Sequence, residues 1–125
     1  MRLLVCDDDP AVGKLLQSIY TGDGWAVDVV TSGQACITMV GESPPDVLVL
    51  DHMMPELTGL ETARALRLQG YTKPIVLFSA YLAPGVDEAA QALDLLPVSK
   101  IDTQAVIRII DVLGANPHLR AKAPT

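Results

Sequence analysis

Short apolar runs alternate five times with amphipathic segments along the chain. The runs are rich in Val, Leu and Ile, and polar or turn-forming residues follow each of them. Runs of this kind are typical of strands buried in a parallel sheet. They predict five strands, at Arg2–Cys6, 25–30, Val47–Leu50, 74–78 and a short run, Leu95–Ser99, before Lys100.

The segments between the strands carry helix signals. Asp9-Pro10 opens the first helix, since Asp is a good N-cap and Pro is tolerated at the first helical position. Thr31-Ser32-Gly33 caps the second helix, and Asp102 caps the fifth. The third helix is predicted over residues 58–69 and the fourth over residues 86–93. Apolar residues at helical spacing predict the inner faces of three helices. In the first helix they are Val12, Leu15, Leu16 and Ile19, and in the second they are Ala35, Met39 and Val40. In the fifth they are Val106, Ile109, Ile110 and Leu113.

Five strand–helix repeats predict an α/β fold, with a doubly wound parallel sheet between two layers of helices. The economical strand order for this length is 2-1-3-4-5, which makes the first and third strands neighbours at the switch point where ligands bind. Val47–Leu50 is apolar on both faces and is therefore expected to be central.

The length and composition predict one domain with a packed core, because the chain has 125 residues and half of them are hydrophobic. We assign residues 1–115 to this domain and expect a loose tail over 116–125. The formal net charge of −6 disfavours direct binding of nucleic acid. The apolar runs are too short to span a membrane. Cys6 and Cys36 lack metal or redox spacing, so we expect Cys6 to be a buried apolar residue of a cytoplasmic protein.

Charged residues stand at the ends of three of the predicted strands. Asp7 and Asp8 follow the first, Asp51 follows the third, and Lys100 follows the fifth. The carboxyl ends of parallel strands meet at one edge of the sheet, so these groups are expected to converge. Carboxylates with one ammonium predict a site for a divalent cation and a phosphoryl group.

Four segments together resemble the receiver domain of two-component response regulators, of the kind found in chemotaxis regulators. They are Asp7-Asp8-Asp9-Pro10, the string Asp-His-Met-Met-Pro-Glu-Leu-Thr-Gly at 51–59, Ser79-Ala80 and Lys100. The resemblance covers the whole ordered length and implies a flavodoxin-like three-layer (βα)₅ fold. It also implies a phosphoacceptor with self-catalysed transfer and slow autohydrolysis, not a metabolic enzyme.

The resemblance implies a role for each matching residue. Asp51 resembles the phosphoacceptor. Asp7 and Asp8 resemble the acidic pair that holds Mg²⁺, completed by Asp51 and by the backbone carbonyl of Met53. The remaining matches are neighbours of the phosphoryl group. Ser79 and Lys100 resemble the hydroxyl and the ammonium that bind phosphoryl oxygens, and Ala80 resembles the small residue that leaves the site open. Met53 and Tyr81 occupy positions that help set the lifetime of the phosphoryl group.

The implied partner is a sensor histidine kinase or a phosphotransfer protein. Leu82, Leu93 and Ile107 predict apolar surface on the last two helices, a face that such domains use for a downstream protein or a homodimer. We expect no contact with a membrane. His52 alternates with Asp51 along the strand and is expected to point away from it.

Two departures from the family pattern leave an alternative open. Pro97 stands where an aromatic residue usually takes part in the switch, and Ile101 stands where Pro usually follows the lysine. They motivate a second interpretation, a degenerate receiver that acts as a phosphorylation-independent interaction module. The site residues argue against it, because all of them are intact: Asp7, Asp8, Asp51, Ser79 and Lys100. A phosphatase with an aspartyl nucleophile is disfavoured, because such sites carry a second Asp where this chain has Met53.

Overall fold

A five-stranded parallel sheet in the order β2-β1-β3-β4-β5 forms the centre of the molecule, as predicted. The computed structural model describes residues 1–80 and 84–115. The strands are β1 (Arg2–Cys6), β2 (Ala26–Val30), β3 (Val47–Leu50), β4 (Ile75–Ser79) and β5 (Leu95–Ser99). The helices are α1 (Pro10–Thr21), α2 (Gly33–Glu42), α3 (Gly59–Leu68), α4 (Val86–Ala92) and α5 (Thr103–Ala115).

The core consists of two apolar layers, one on each face of the sheet. On one face, α2, α3 and α4 cover alternate residues of the central strands, such as Leu4, Leu48 and Leu77. On the other face, α1 and α5 cover the residues between them, such as Val5, Val49 and Phe78. Every residue of β3 and β4 is buried, because helices cover both faces of these strands. The three-layer prediction is therefore confirmed.

Polar side chains cap four of the helices. Asp9 accepts from the Ala11 N–H at the start of α1, and Ser32 accepts from the Ala35 N–H in α2. Asp102 accepts from the Ala105 N–H in α5, at 2.9 Å. These bonds satisfy backbone donors that the first turn leaves unpaired, which confirms the three predicted helix starts.

The start of α3 has reciprocal caps. The Thr58 side chain accepts from the Glu61 N–H at 3.2 Å, and the Glu61 carboxylate accepts from the Thr58 N–H at 2.9 Å. This capping box fixes the first turn of the helix that follows Asp51.

Several element boundaries and two helix faces differ from the prediction. β2 begins at Ala26 instead of residue 25, and β4 is Ile75–Ser79 instead of 74–78. α3 is Gly59–Leu68 instead of 58–69, and α4 ends at Ala92 instead of residue 93. Leu15 is 44% exposed because it lies at the margin of the inner face of α1, where Leu16 and Tyr20 are buried. In α2 the buried residues include Cys36, whereas Ala35 and Met39 are only partly buried.

The expected apolar surface on the last two helices is smaller than predicted. Leu93 and Ile107 are partly buried, because each packs against one of the two core layers. Val112 is the large apolar side chain of α5 that is more than half exposed. Leu82 and the tail from Asn116 lie outside the described residues. No helix of the described part of the chain is long and apolar enough to cross a membrane.

Candidate functional site

The ends of β1 and β3 place Asp7 and Asp51 side by side. Cys6 pairs with Leu50 in the parallel register, and the Asp51 N–H continues the ladder by donating to the Cys6 carbonyl at 2.9 Å. Asp7 is held from its other side, since its N–H donates to the Val30 carbonyl of β2 at 3.1 Å. Both residues are buried, since Asp7 is 2% exposed and Asp51 is 3% exposed.

Lys100 reaches the two carboxylates from the edge strand. Its N–H donates to the Ser79 carbonyl at 2.9 Å, which extends the pairing of β4 and β5 by one residue. Its ammonium nitrogen lies 2.5 Å from Asp7 Oδ2 and 3.5 Å from Asp51 Oδ1. The ammonium is thus a counter-charge for two buried carboxylates.

Asp8 completes a cluster of three carboxylates. Asp7, Asp8 and Asp51 each offer an oxygen, and these oxygens lie within 4.8 Å of one another. Asp8 is exposed, and the Asp7 carboxylate is oriented by the Asp9 N–H, which donates to its Oδ1 at 2.9 Å. Carboxylate oxygens are the ligands that Mg²⁺ prefers, and three carboxylates outnumber the one ammonium. The donor set therefore fits a hard divalent cation.

Burial makes Asp51 an unusual carboxylate. Desolvation, followed by repulsion from Asp7, raises its pKa to about 6. Lys100 and the Met53 N–H, which donates to the carboxylate, oppose that shift. Partial burial lowers the pKa of Lys100, but its ion pairs with Asp7 and Asp51 outweigh burial and raise the pKa overall. Lys100 therefore stays protonated in the site. A further positive charge would stabilise the ionised form of the Asp51 carboxylate.

The tight loop after Asp51 explains why a glycine stands at position 59. The Gly59 N–H donates to the His52 carbonyl at 2.9 Å. A Cβ at Gly59 would overlap the Asp51 carbonyl oxygen and approach the His52 Cα to 2.7 Å. Glycine lets α3 begin directly against the end of β3, which holds the backbone of Asp51 in place.

His52 and Met53, the two residues after Asp51, lie in different surroundings. His52 Nδ1 accepts a long hydrogen bond from the Leu60 N–H, at 3.4 Å, so the ring faces the start of α3 as expected. The Met53 side chain is 59% exposed. Its backbone N–H, rather than its side chain, interacts with Asp51.

The remaining predicted neighbours come from the end of β4. Ser79 is buried at the last position of the strand, and Ala80 directly after it is exposed. Tyr81 lies outside the described residues. Ser79 reaches the site edge because its strand lies between β3 and β5, which carry Asp51 and Lys100.

The two departures from the family pattern lie next to Lys100. Pro97 is exposed on the edge strand β5, where a missing N–H does not interrupt the sheet. The described peptide bonds, including the one between Lys100 and Ile101, are trans, and Ile101 is 89% exposed. The backbone around Lys100 thus keeps strand pairing despite both substitutions.

Sequence reasoning missed two contacts at the site. The ion pair between Lys100 and Asp7 joins residues that are far apart in sequence, whereas the resemblance assigns the Lys100 ammonium to a phosphoryl oxygen. The thiol of Cys6 lies 3.7 Å from the Met54 sulfur and donates to the Ser32 carbonyl at 3.3 Å. Both sulfur side chains are buried directly below the carboxylates, so they pack as apolar groups.

The sequence matches the family described as response regulator receiver domain over residues 3–104. The response regulator MprA of Mycobacterium avium is 40% identical over 94 residues, which cover 75% of this chain and 40% of that relative. MprA of Mycobacterium tuberculosis is 39% identical over the same length. This chain therefore spans about 40% of the length of these curated relatives.

Solved structures give the same fold. The response regulator TrrA of Thermotoga maritima, in complex with Mg²⁺-BeF, has a TM-score of 0.76 at 27% identity. That match covers 90% of this chain and 97% of TrrA. The chemotaxis protein CheY4 of Vibrio cholerae has a TM-score of 0.80 with the same coverage, and at 19% identity it shows the fold alone.

Proposed function

The chain belongs to the response regulator receiver domain family, and from that premise we propose that Asp51 accepts a phosphoryl group. The donor is a phosphohistidine of a sensor kinase or a phosphotransfer protein. One observation carries the proposal: a buried carboxylate lies beside two others and 3.5 Å from an ammonium, at the edge where the strands end.

The proposed transfer exchanges one bond to phosphorus for another. An Asp51 carboxylate oxygen attacks the phosphorus, a P–O bond forms, and the P–N bond to the imidazole breaks. The electron pair of the broken bond stays on the imidazole nitrogen, and an aspartyl phosphate remains. With a small acyl phosphate the broken bond is P–O and the leaving group is a carboxylate.

The residues around Asp51 act by position and charge. Asp7, Asp8, Asp51 and the Met53 carbonyl would hold Mg²⁺, which when bound neutralises repulsion between the carboxylates and the phosphoryl oxygens. Lys100 supplies a positive charge to one phosphoryl oxygen, and Ser79 supplies a hydroxyl to another. Ala80 keeps the approach open, whereas Met53 and Tyr81 slow the entry of water.

Intact mass after incubation with Mg²⁺ and acetyl phosphate tests the proposal. We expect the parent chain to gain one phosphoryl group, and we expect Asp51→Asn, or the parent with a chelator, to gain none. Asp9→Asn is the matched control, because Asp9 caps α1 and asparagine also caps helices well. It should gain the group as the parent does.

The opposite result has a defined meaning. If a folded parent that binds Mg²⁺ gains no phosphoryl group from acetyl phosphate or from a histidine kinase, the phosphoacceptor proposal fails. The alternative of a phosphorylation-independent interaction module, suggested by Pro97 and Ile101, would then replace it.

A further inference from the structure

Three sulfur-bearing side chains, Cys6, Cys36 and Met54, meet in the core directly below the carboxylates and form a sulfur cluster. Cys6 Sγ lies 3.7 Å from Met54 Sδ and 3.3 Å from the Ser32 carbonyl oxygen. The Cys36 N–H donates to the same Ser32 oxygen at 3.0 Å, so the two cysteines converge on one atom. The thiols also interact with each other, because a hydrogen bond with the Cys36 side chain raises the pKa of Cys6.

The sulfur cluster draws on three segments that are distant along the chain. Cys6 is the last residue of β1, Cys36 lies near the start of α2, and Met54 lies on the loop between β3 and α3. Both cysteines of the chain and one of its four methionines are thus brought together. Because the three sulfurs meet through the packing of these segments, the spacing of the cysteines in the sequence does not reveal the cluster.

The surroundings of the sulfur cluster are apolar. Cys6 and Cys36 are fully buried, and Met54 is 7% exposed. The other members of this core layer are aliphatic side chains and Tyr71, whose hydroxyl donates to the Pro45 carbonyl. The ligands that the layer offers to a metal ion are therefore sulfur atoms, in contrast to the carboxylate oxygens above it.

The type and number of these ligands indicate which ion they suit. Thiolates and thioethers bind soft cations such as Cu(I), whereas hard cations prefer oxygen. The cluster has three sulfurs, one fewer than the four ligands of a structural zinc site. An ion at the centre of three sulfurs, with bonds of about 2.3 Å, spaces the sulfurs about 4 Å apart. The 3.7 Å between Cys6 Sγ and Met54 Sδ is close to that spacing, so little movement is needed.

The start of α2 favours the charged form of one ligand. The Cys36 N–H makes the first hydrogen bond of α2, to the carbonyl of the N-cap Ser32. The N-terminal end of a helix carries partial positive charge, which stabilises a thiolate placed there. The helix therefore offsets part of the negative charge that two thiolates and one monovalent cation leave in the core.

We propose that Cys6, Cys36 and Met54 bind a soft monovalent cation of the Cu(I) type in a trigonal three-sulfur site. Binding forms two metal–thiolate bonds and one metal–thioether bond, releases two thiol protons to solvent and leaves the oxidation state unchanged. The ion enters beside Met54, which is the least buried of the three. The site does not depend on whether Asp51 accepts a phosphoryl group.

Anaerobic titration of the full chain with Cu(I), buffered by the chelator bicinchoninate and with excess Mg²⁺ present, tests the site. We expect one ion per chain and ultraviolet absorption from thiolate-to-metal charge transfer. Cys36→Ala should weaken the affinity about a hundredfold and Met54→Leu about tenfold, because each variant loses one sulfur ligand. Met53→Leu is the matched control, since the neighbouring Met53 side chain is exposed, and it should bind as the parent does.

Equal affinity in the parent and Cys36→Ala would overturn the site. Equal affinity in Met54→Leu and Met53→Leu would overturn it too, because the thioether would then not be a ligand. If Cys36→Ala does not fold, the two methionine variants decide, since leucine nearly conserves the volume of methionine.

Thermal unfolding provides a second readout of the same site. Cu(I) should raise the unfolding midpoint of the parent, and by less in Met54→Leu, because an ion that binds the folded state stabilises it. A lower midpoint in the parent would overturn the site, because Cu(I) would then bind the cysteines of the unfolded chain more tightly than the folded protein.

Discussion

The ionised carboxylate of Asp51 destabilises the folded, metal-free protein, because burial and the charge of Asp7 raise its pKa to about 6. An ordinary Asp titrates near 3.9 in the unfolded chain, so the folded state binds this proton more tightly. The stability contributed by that proton is fully present below about pH 3.9 and is lost as the pH rises through about 6. Asp51 therefore lowers the stability of the metal-free protein at neutral pH.

Asp51→Asn removes that titration. In the presence of a chelator, we expect the variant to unfold at the same denaturant concentration as the parent near pH 4. At pH 8 it should be more stable by on the order of 2 kcal/mol. Denaturant unfolding at the two pH values measures this, and a stability difference that is independent of pH would contradict the prediction.

Lys100 competes with a metal ion for the same carboxylates, since its ammonium pairs with Asp7 and Asp51. Lys100→Met should therefore bind Mg²⁺ about fivefold more tightly, which corresponds to about 1 kcal/mol of lost competition. Phosphorylation by acetyl phosphate should nevertheless slow, because the phosphoryl group loses its positive neighbour.

Calorimetric titration with Mg²⁺ at fixed ionic strength measures that affinity. Lys73→Met is the control, because Lys73 pairs with Asp46 at the opposite edge of the sheet and should not alter the affinity. Weaker Mg²⁺ binding by Lys100→Met would show that the ammonium organises the carboxylates rather than competing for them.

At the scale of elements, the start of α3 sets the position of the end of β3. The capping box at Thr58 and Glu61 fixes the first turn, and Gly59 packs against the backbone of Asp51 without an intervening Cβ. The loop between strand and helix includes Glu56, whose φ of +69° shows how sharply the chain turns. The geometry of the phosphoacceptor thus depends on how closely two elements approach.

Gly59→Ala tests this dependence. The added Cβ meets backbone that cannot move without moving Asp51, so we expect a loss of about 1–3 kcal/mol in stability and about tenfold slower phosphorylation by acetyl phosphate. Gly41→Ala is the control. In the described part of the chain, a Cβ at Gly41 would meet nothing within 4 Å outside the local backbone of α2, and alanine there should stabilise the helix by about 0.5–1 kcal/mol. Unchanged phosphorylation in Gly59→Ala would show that the loop tolerates the displacement.

Across the whole molecule, Tyr20 joins the first helix to the last. Its hydroxyl shares one proton between Asp111 Oδ1, at 2.8 Å, and the Ile107 carbonyl, at 3.1 Å, and its ring packs on Trp25 with 5.1 Å between ring centres. Trp25 in turn lies against Gly114, where a Cβ would overlap the indole ring. These contacts close one face of the sheet and hold the end of α5 beside α1.

Tyr20→Phe keeps the packing and removes the hydroxyl. We expect a loss of about 1–2 kcal/mol in the free energy of unfolding, because one hydrogen bond is to a charged acceptor. Asp111→Asn, which retains an oxygen acceptor, should cost less. Denaturant unfolding with Trp25 fluorescence measures both, and a larger loss for Asp111→Asn would contradict the role given to the hydroxyl.

Sequence by itself determined the elements, the strand order and the set of charged groups. Apolar runs such as Val47–Leu50 mark strands buried on both faces, and helix starts such as Asp9-Pro10 and Asp102 carry their own caps. These signals are local, because burial periodicity and capping depend on residues only a few positions apart. The convergence of Asp7, Asp51 and Lys100 also followed, since parallel strands end at one edge.

Tertiary structure decided the contacts between residues distant along the chain. The pairing of Lys100 with Asp7, the approach of Gly59 to Asp51 and the contact of Cys6 with Met54 depend on distances between packed elements. The partial burial of Leu93 and the exposure of Leu15 depend likewise on which helix covers which strand. No local pattern encodes these contacts, because the same side chains would be solvated in any other arrangement of the helices.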